Sequence, residues 1–216
     1  MFRKGDKMNH KKLLIFDFDG TIADTTLHVI HCVQKCAKHF SLMEVSEENI
    51  QEFIGSALVD VMKKLGARED QLTDIKEYYR EIFLEDLSDI LVYDGVKEVL
   101  EQLKARGYTL AIATNRGSDT LPSILEFIGI TNIFSEIVCA DHVINRKPHP
   151  EMVDLILNDL ALKKEDTLVL GDTSFDILMA QNAGCDSCYV CHEKSPNESV
   201  MMLQPDFVIY QFKELL

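Results

Sequence analysis

Four short stretches of the chain gather carboxylates, hydroxyls and a lysine. Asp17-Phe18-Asp19-Gly20-Thr21 carries two carboxylates two residues apart, Thr114-Asn115 sets a hydroxyl beside an amide, Lys147 precedes Pro148-His149-Pro150, and Gly171-Asp172 is followed by Asp176. Each piece alone has an ordinary structural reading. Asp19-Gly20 is a common turn pair, Thr114 or Asn115 can cap a turn or helix, Asp176 complements a helix dipole, and Lys147 is one more surface charge. Brought into one crevice, these carboxylates would repel each other and be costly to desolvate, which makes a divalent cation their natural partner. Oxygen ligands with water completing an octahedron specify Mg²⁺. The matching chemistry is phosphoryl transfer: one carboxylate attacks phosphorus to give an aspartyl-phosphate, and a second acid protonates the leaving oxygen and then activates water. Asp17 and Asp19 can divide these tasks if the chain runs on extended past a strand end, because residues i and i+2 face one way. Mg²⁺, Lys147, the Thr114 hydroxyl and backbone N–H groups would then balance charge on the non-bridging oxygens.

The elements around these stretches must bring them together. Residues 12–16 (KLLIF) form a continuous apolar run, as suits a parallel strand buried on both faces. Runs of the same kind cover residues 108–113, 136–140, 167–170, 187–191 and 207–210. Helix-period stretches alternate with them: from Asp94-Gly95 through Arg106 to a stop at Gly107, then 118–128, 150–160 and 174–183, the last closing at Gly184. This alternation predicts an α/β fold, a Rossmann-like, doubly wound parallel sheet with right-handed crossovers. In such sheets ligands bind beyond the carboxyl ends of the strands, where Asp17, Thr114 and Asp172 emerge.

Residues 25–90 break the rhythm, with helical periodicity and no strand. Val29, Ile30, Val33, Ala37 and Phe40 make one apolar stripe; a helix is expected over 47–53, then Ile54-Gly55-Ser56, then a helix through Leu65 that Gly66 stops. Leu72, Ile75, Tyr79, Ile82 and Phe83 recur at helical spacing over 69–87. The expected organisation is a flexible tail at 1–11, a Rossmann-like core at 12–24 and 91–216, and a helical bundle inserted at 25–90. The basic start, with Arg3, Lys4, Lys7, Lys11 and Lys12 against Asp6, reads as a solvated tail, and Met8 is a candidate native start.

Composition excludes several classes. The 216 residues are 46% hydrophobic and 27% charged, ample for a buried core. Thirty-six acids against 22 bases give a net charge of −14, so neither nucleic acid nor an anionic membrane is favoured by the overall field. No apolar run reaches the roughly 18–20 residues of a membrane-spanning helix, and the first eleven residues lack a secretory signal's apolar stretch. A soluble, cytoplasmic protein is expected. Cys185, Cys188 and Cys191, followed by His192, suggest a metal motif, but strand alternation sends Cys188 to the face opposite the other two. They read instead as core thiols.

DFDGT at Asp17, AIATN ending in Thr114-Asn115, KPHPE from Lys147 and GDTSFD from Gly171 resemble, in order, the four motifs of the haloacid dehalogenase-like hydrolase superfamily. The resemblance runs from about residue 12 to the end, and the helical insert looks like that superfamily's cap. It implies Asp17 as nucleophile, Asp19 as general acid/base, and Thr114 and Lys147 as phosphoryl-binding groups. Mg²⁺ would be held by the Asp17 side chain, the Asp19 backbone carbonyl and Asp172, with Asp176 in support. Asn115, Gly20, Gly55 and Ser56 are candidate substrate contacts. Asp19 argues for phosphoryl transfer over dehalogenation, and the helical-cap, phosphoglycolate-phosphatase-like branch fits best, with a small phosphorylated metabolite as substrate. The phosphosugar mutase branch of the β-phosphoglucomutase type is an alternative, although His28 stands one position short of its histidine. A non-enzymatic binding protein on the same fold is another. Lys63 and Lys64, the possible counterparts of a phosphonate-cleaving lysine, read as exposed helix residues. Arg116 and His149 adjoin motif residues and either touch substrate or face solvent.

Overall fold

The computed structural model describes residues 10–46, 56–192 and 195–216. Its strands are β1 (Leu13–Phe16), β2 (Ala23–Asp24), β3 (Leu91–Val92), β4 (Thr109–Ala113), β5 (Glu136–Val138), β6 (Thr167–Gly171), β7 (Asp186–Val190) and β8 (Phe207–Ile209). Its helices are α1 (Thr26–His39), α2 (Leu58–Lys64), α3 (Leu72–Leu84), α4 (Val96–Ala105), α5 (Leu121–Phe127), α6 (Glu151–Leu160), α7 (Ser174–Ala183) and the short α8 (Glu198–Met201). Six strands pair in parallel in the order β5-β4-β1-β6-β7-β8. The connection leaving β1 reaches β4 on one side while β6 lies on the other, so β1 marks the switch point of a doubly wound sheet.

Strand alternation divides the core. Leu14, Phe16, Leu110, Ile112, Leu168 and Leu170 face one layer, which includes Val96, Leu100 and Leu103 of α4. Leu13, Ile15, Ala111, Ala113 and Val169 face the other, against Met152, Val153 and Ile156 of α6 and Met179 and Ala180 of α7. With both faces covered, each central strand is apolar throughout, which is why the continuous runs predicted them. The thiols follow the same logic. Cys188, Cys185 and Cys191 are buried in three different clusters, so they do not converge on a metal.

Two strands escaped prediction. β2 and β3 form an antiparallel pair, Ala23 opposite Val92 and Asp24 opposite Leu91, at the two points where the chain leaves and re-enters the sheet layer. Two residues are too few for any periodicity to register. The segment between them is helical where it is described. Ile30, Val33 and Ala37 of α1 pack with Val61 and Met62 of α2 and with Leu72, Ile75, Tyr79, Ile82 and Phe83 of α3, the stripe that the spacing predicted. The helix expected over 69–87 is shorter: a 3₁₀ turn occupies Glu69–Gln71, and α3 ends at Leu84. Beyond that end, the Asp86 carboxylate accepts the Ser88 N–H, a local bond that competes with continuing the helix. The expected helix over 47–53 and Gly55 lie outside the described residues.

Lys11 is a correction to the solvated tail. It is buried, its Nζ donates to the Glu165 carbonyl at 2.9 Å and pairs with Asp186 at 2.8 Å, and the backbone of Lys12 bonds Asp166 at 2.8 Å. The pairing of this central strand thus begins before Leu13. No helix among the described residues is long and apolar enough to cross a membrane.

Candidate active site

Three neighbouring strands deliver the chemistry. β1 ends at Phe16 in register with Ile112 and Leu170, so Asp17, Thr114 and Asp172 leave the sheet side by side. The Asp17 N–H is held by the Leu170 carbonyl at 2.8 Å, extending the ladder one residue past the strand. Phe18 turns fully into the core while Asp17 and Asp19 both border a cavity, which is the alternation expected of an extended exit. Lys147 reaches in from the loop between β5 and α6. Its backbone N–H donates to Asn115 Oδ1 at 3.2 Å, so Asn115 anchors that loop as well as lining the cavity.

Lys147 Nζ lies 2.7 Å from Asp17 Oδ1 and 2.6 Å from Asp176 Oδ1. The other Asp176 oxygen accepts the Thr173 N–H at 3.0 Å and the Thr173 hydroxyl at 2.7 Å in a capping box that starts α7. Oxygens of Asp17, Asp172 and Asp176 lie within 4.8 Å of one another. Asp172 takes the Thr21 hydroxyl at 2.7 Å. A first side-chain carbon at Gly20, whose φ is +85°, would stand 2.3 Å from Asp172 Oδ2. Gly20 therefore serves close packing against Asp172, and it is not among the residues lining the cavity.

The charges do not balance within the protein. Among the described residues three carboxylates face one ammonium, so full ionisation would leave two negative charges uncompensated. Burial raises the Asp17 carboxyl, Lys147 pulls it back, and Asp176 and Asp19 raise it again, so it stands at about 7. Burial, then Asp17 and Asp176, push Asp172 well above the usual carboxylate range. For Lys147, burial opposes the charge, but Asp17 and Asp176 override it and keep the ammonium protonated above the ordinary lysine range. An all-oxygen set short of two positive charges fits a hard divalent cation.

Asp19 has a separate environment. Arg116 Nη2 donates to Asp19 Oδ1 at 2.6 Å and its Nε reaches both carboxylate oxygens, at 3.0 and 3.2 Å. The Thr25 hydroxyl adds a bond to Oδ1 at 2.5 Å. The Asp19 side chain thus stands apart from the three-carboxylate group. Sequence reasoning left Arg116 open and did not single out Thr25. Arg116 follows Asn115 directly, which was the available signal; Thr25 offered none.

The cavity measures about 240 Å³. Asp17, Asp19, Thr114, Asn115, Arg116 and Lys147 border it from the sheet side, and Val29, Val33, Ser56, Leu58, Val61, Lys76 and Tyr79 from the helices between β2 and β3. Arg146 Nη1 bonds Asp60 on α2 at 3.1 Å, joining the Lys147 loop to that helical segment. Two residues left open lie elsewhere. His149 is half exposed beside Glu151, and His28 is buried, its Nε2 2.8 Å from the Phe83 carbonyl. Lys63 and Lys64 are exposed as expected, Lys63 pairing with Glu69 at 2.8 Å.

Comparison with known proteins meets the same pattern. The family described as haloacid dehalogenase-like hydrolase matches residues 14–190. A phosphoglycolate phosphatase of Vibrio parahaemolyticus is 31% identical over 95% of this chain and 94% of its own. The pyrophosphatase PpaX of Bacillus pumilus is 33% identical over 94% of each. A crystal structure described as a predicted phosphoglycolate phosphatase from Haemophilus somnus superposes with a TM-score of 0.81 at 26% identity, covering 95% of this chain and 96% of the other.

Proposed function

The chain belongs to the haloacid dehalogenase-like hydrolase family, and on that premise we propose that it is a Mg²⁺-dependent phosphatase cleaving a small phosphate monoester through an aspartyl-phosphate. The observation that carries this reading is the close group of Asp17, Asp172 and Asp176, the first and last of them buried, with Lys147 as its one ammonium among the described residues, near the carboxyl ends of adjacent strands. Asp17 is the nucleophile, since it borders the cavity and Lys147 fixes its Oδ1 at 2.7 Å. Asp19 protonates the leaving oxygen and then takes a proton from the attacking water. The Thr114 hydroxyl and the Lys147 ammonium hold non-bridging oxygens. Asp17, Asp172, Asp176 and the Asp19 backbone carbonyl would hold Mg²⁺. When bound, Mg²⁺ supplies charge balance and Lewis-acid polarisation of the phosphoryl group. The helices described between Thr26 and Leu84 act as a cap that completes the cavity, and Asn115 and Ser56 are its candidate substrate contacts; Gly55 is a further candidate that lies outside the described residues. The size of the cavity suits a small phosphorylated metabolite, in line with the substrates that the relatives' names indicate. Six buried cysteines, none of them in a disulfide, suit a reducing, cytoplasmic setting.

The pH dependence of stability has a definite sign. A carboxyl raised to about 7 in the folded state contributes stability that is present at acid pH and lost as pH rises through about 7. The metal-free protein should therefore lose Tm between about pH 4 and 7 and level off above that, and Mg²⁺ should raise Tm more at about pH 8 than at about pH 6, because binding must displace a proton at the lower pH. Equal Mg²⁺ increments at both pH values, read by thermal melts, would contradict this account of Asp17.

Turnover of a panel of phosphate monoesters, with Mg²⁺ and with excess chelator, tests the function. Free phosphate should accumulate stoichiometrically and chelator should abolish it. A mutase would instead convert hexose 1-phosphates to 6-phosphates in the presence of a bisphosphate primer. Isomerisation faster than phosphate release would overturn the hydrolase reading, and turnover undiminished by chelator would overturn the metal requirement. His28 supports the hydrolase reading, because its ring is engaged by the Phe83 carbonyl within the helices and is not among the residues lining the cavity.

A further inference from the structure

The chemistry set out above makes no use of Arg116, yet few side chains in the cavity are held so completely. Its side chain is 6% exposed. Nε and Nη2 grip the Asp19 carboxylate, Nη1 donates to Thr120 Oγ1 at 3.2 Å, and the backbone N–H donates to Thr114 Oγ1 at 3.1 Å. Arg116 Cζ lies over the Phe83 ring, 4.6 Å from its centroid. Phe83 belongs to α3 in the cap, and its carbonyl is tied to His28 of α1 at 2.8 Å. The guanidinium is therefore engaged by two parts of the protein, the acid/base aspartate and an aromatic ring of the cap.

On the phosphatase reading, the geometry points to Arg116 as a positioning residue for Asp19, with Phe83 as the contact through which the cap bears on it. A planar fork gripping both carboxylate oxygens fixes the plane in which Asp19 presents itself, which a point charge cannot do. A role in binding a substrate anion fits the geometry less well. The ion pair of Nε and Nη2 with Asp19, at 3.0 and 2.6 Å, already takes the two-point edge of the guanidinium, so an anion would find only the second N–H of each terminal nitrogen. Phe83, fully buried, lies against the guanidinium from the cap side. With the cap in place, Arg116 has no free direction in which to turn away from Asp19, so the aim of the acid/base group depends on the cap contact. Small errors of aim are costly, since roughly 1 Å of misplacement in a reacting group can lower a rate about 100-fold.

Arg116→Lys and Arg116→Gln, made in wild-type and Asp19→Asn backgrounds and assayed on an alkyl and a nitrophenyl phosphate, test this. Each should lower kcat for the alkyl ester by roughly 10–100-fold, as loss of supporting contacts around a site does, with KM nearly unchanged. The loss should be smaller for nitrophenyl phosphate, whose leaving group needs little protonation. In the Asp19→Asn background both changes should add little, because the residue they act through has already lost its role. Phe83→Leu, which spares the ion pair, should give a smaller loss of the same kind and keeps the test open if the Arg116 variants fold poorly. A raised KM with kcat retained would make Arg116 a substrate-binding group and overturn the proposal. So would losses that multiply fully with Asp19→Asn. A wild-type protein that turns over no phosphate ester would remove the phosphatase reading and this inference with it, whereas an active wild type with multiplying losses removes the inference alone.

Discussion

Asp17→Asn should lower phosphate-ester turnover by at least roughly 10⁴-fold, the scale seen when a nucleophile is taken from a set of groups that act as a unit. The amide keeps the shape of the carboxylate and its hydrogen-bonding reach toward Lys147, but it cannot form the acyl phosphate. The loss should not come from unfolding. Asp17 is one of three carboxylates crowded within 4.8 Å, and burial and the charges of Asp176 and Asp19 already press it toward neutrality. Removing its charge relieves that repulsion, so the metal-free variant should melt at or above the wild-type Tm near pH 8. Steady-state assays and thermal melts on the same preparation check both halves. Residual turnover within about tenfold of wild type would place the nucleophile elsewhere.

Lys147→Met should be among the most damaging substitutions for stability as well as activity. The ammonium is 2% exposed and is shared by Asp17 and Asp176, of which the latter is also almost fully buried. Methionine preserves much of the stem's packing but leaves two buried carboxylates without their shared counter-charge. Breaking a buried pair from one side costs about 3–5 kcal/mol, to be read from denaturant midpoints in chelator. Mg²⁺ should recover part of that loss, because a divalent cation meets the same charge deficit. Turnover should stay low even when stability is recovered, since one of the groups that grips the phosphoryl oxygens is gone. A cost below about 1 kcal/mol, the range of an exposed pair, would contradict the buried arrangement.

How much of this was readable from the residues can be traced element by element. The six sheet strands were visible because a parallel strand with both faces covered must be apolar throughout, as Leu13-Leu14-Ile15-Phe16 is. The hinge pair at Ala23 and Val92 was not, because two residues carry no period and their pairing spans the whole helical segment. Lys11 looked like tail by composition, yet Asp186 and the Glu165 carbonyl, both distant in sequence, draw it against the amino end of the sheet. Asp17, Thr114, Asp172 and Lys147 stood out at strand ends and loop starts, which a topological rule marks in advance. Arg116 and Phe83 did not. The Arg116–Asp19 bond joins residues 97 apart, and Phe83 reads in sequence only as one member of an apolar stripe. Periodicity reports which face of a helix is buried and says nothing of which charged group lies against it.

The central claim is that the phosphoryl group passes through Asp17, and the most direct test is to catch it there. A single turnover with a good phosphate-ester substrate and Mg²⁺, quenched in acid within milliseconds, should leave a phosphoryl group on the peptide containing Asp17. Acyl phosphates survive acid and are cleaved by hydroxylamine, so mass mapping with and without hydroxylamine identifies the linkage. The account predicts a hydroxylamine-labile phosphoryl group on Asp17 that forms and decays at rates compatible with turnover. A phosphoryl group on any other residue, or turnover that accumulates none even in the Asp19→Asn protein, where hydrolysis of the intermediate should be slowed, would contradict it.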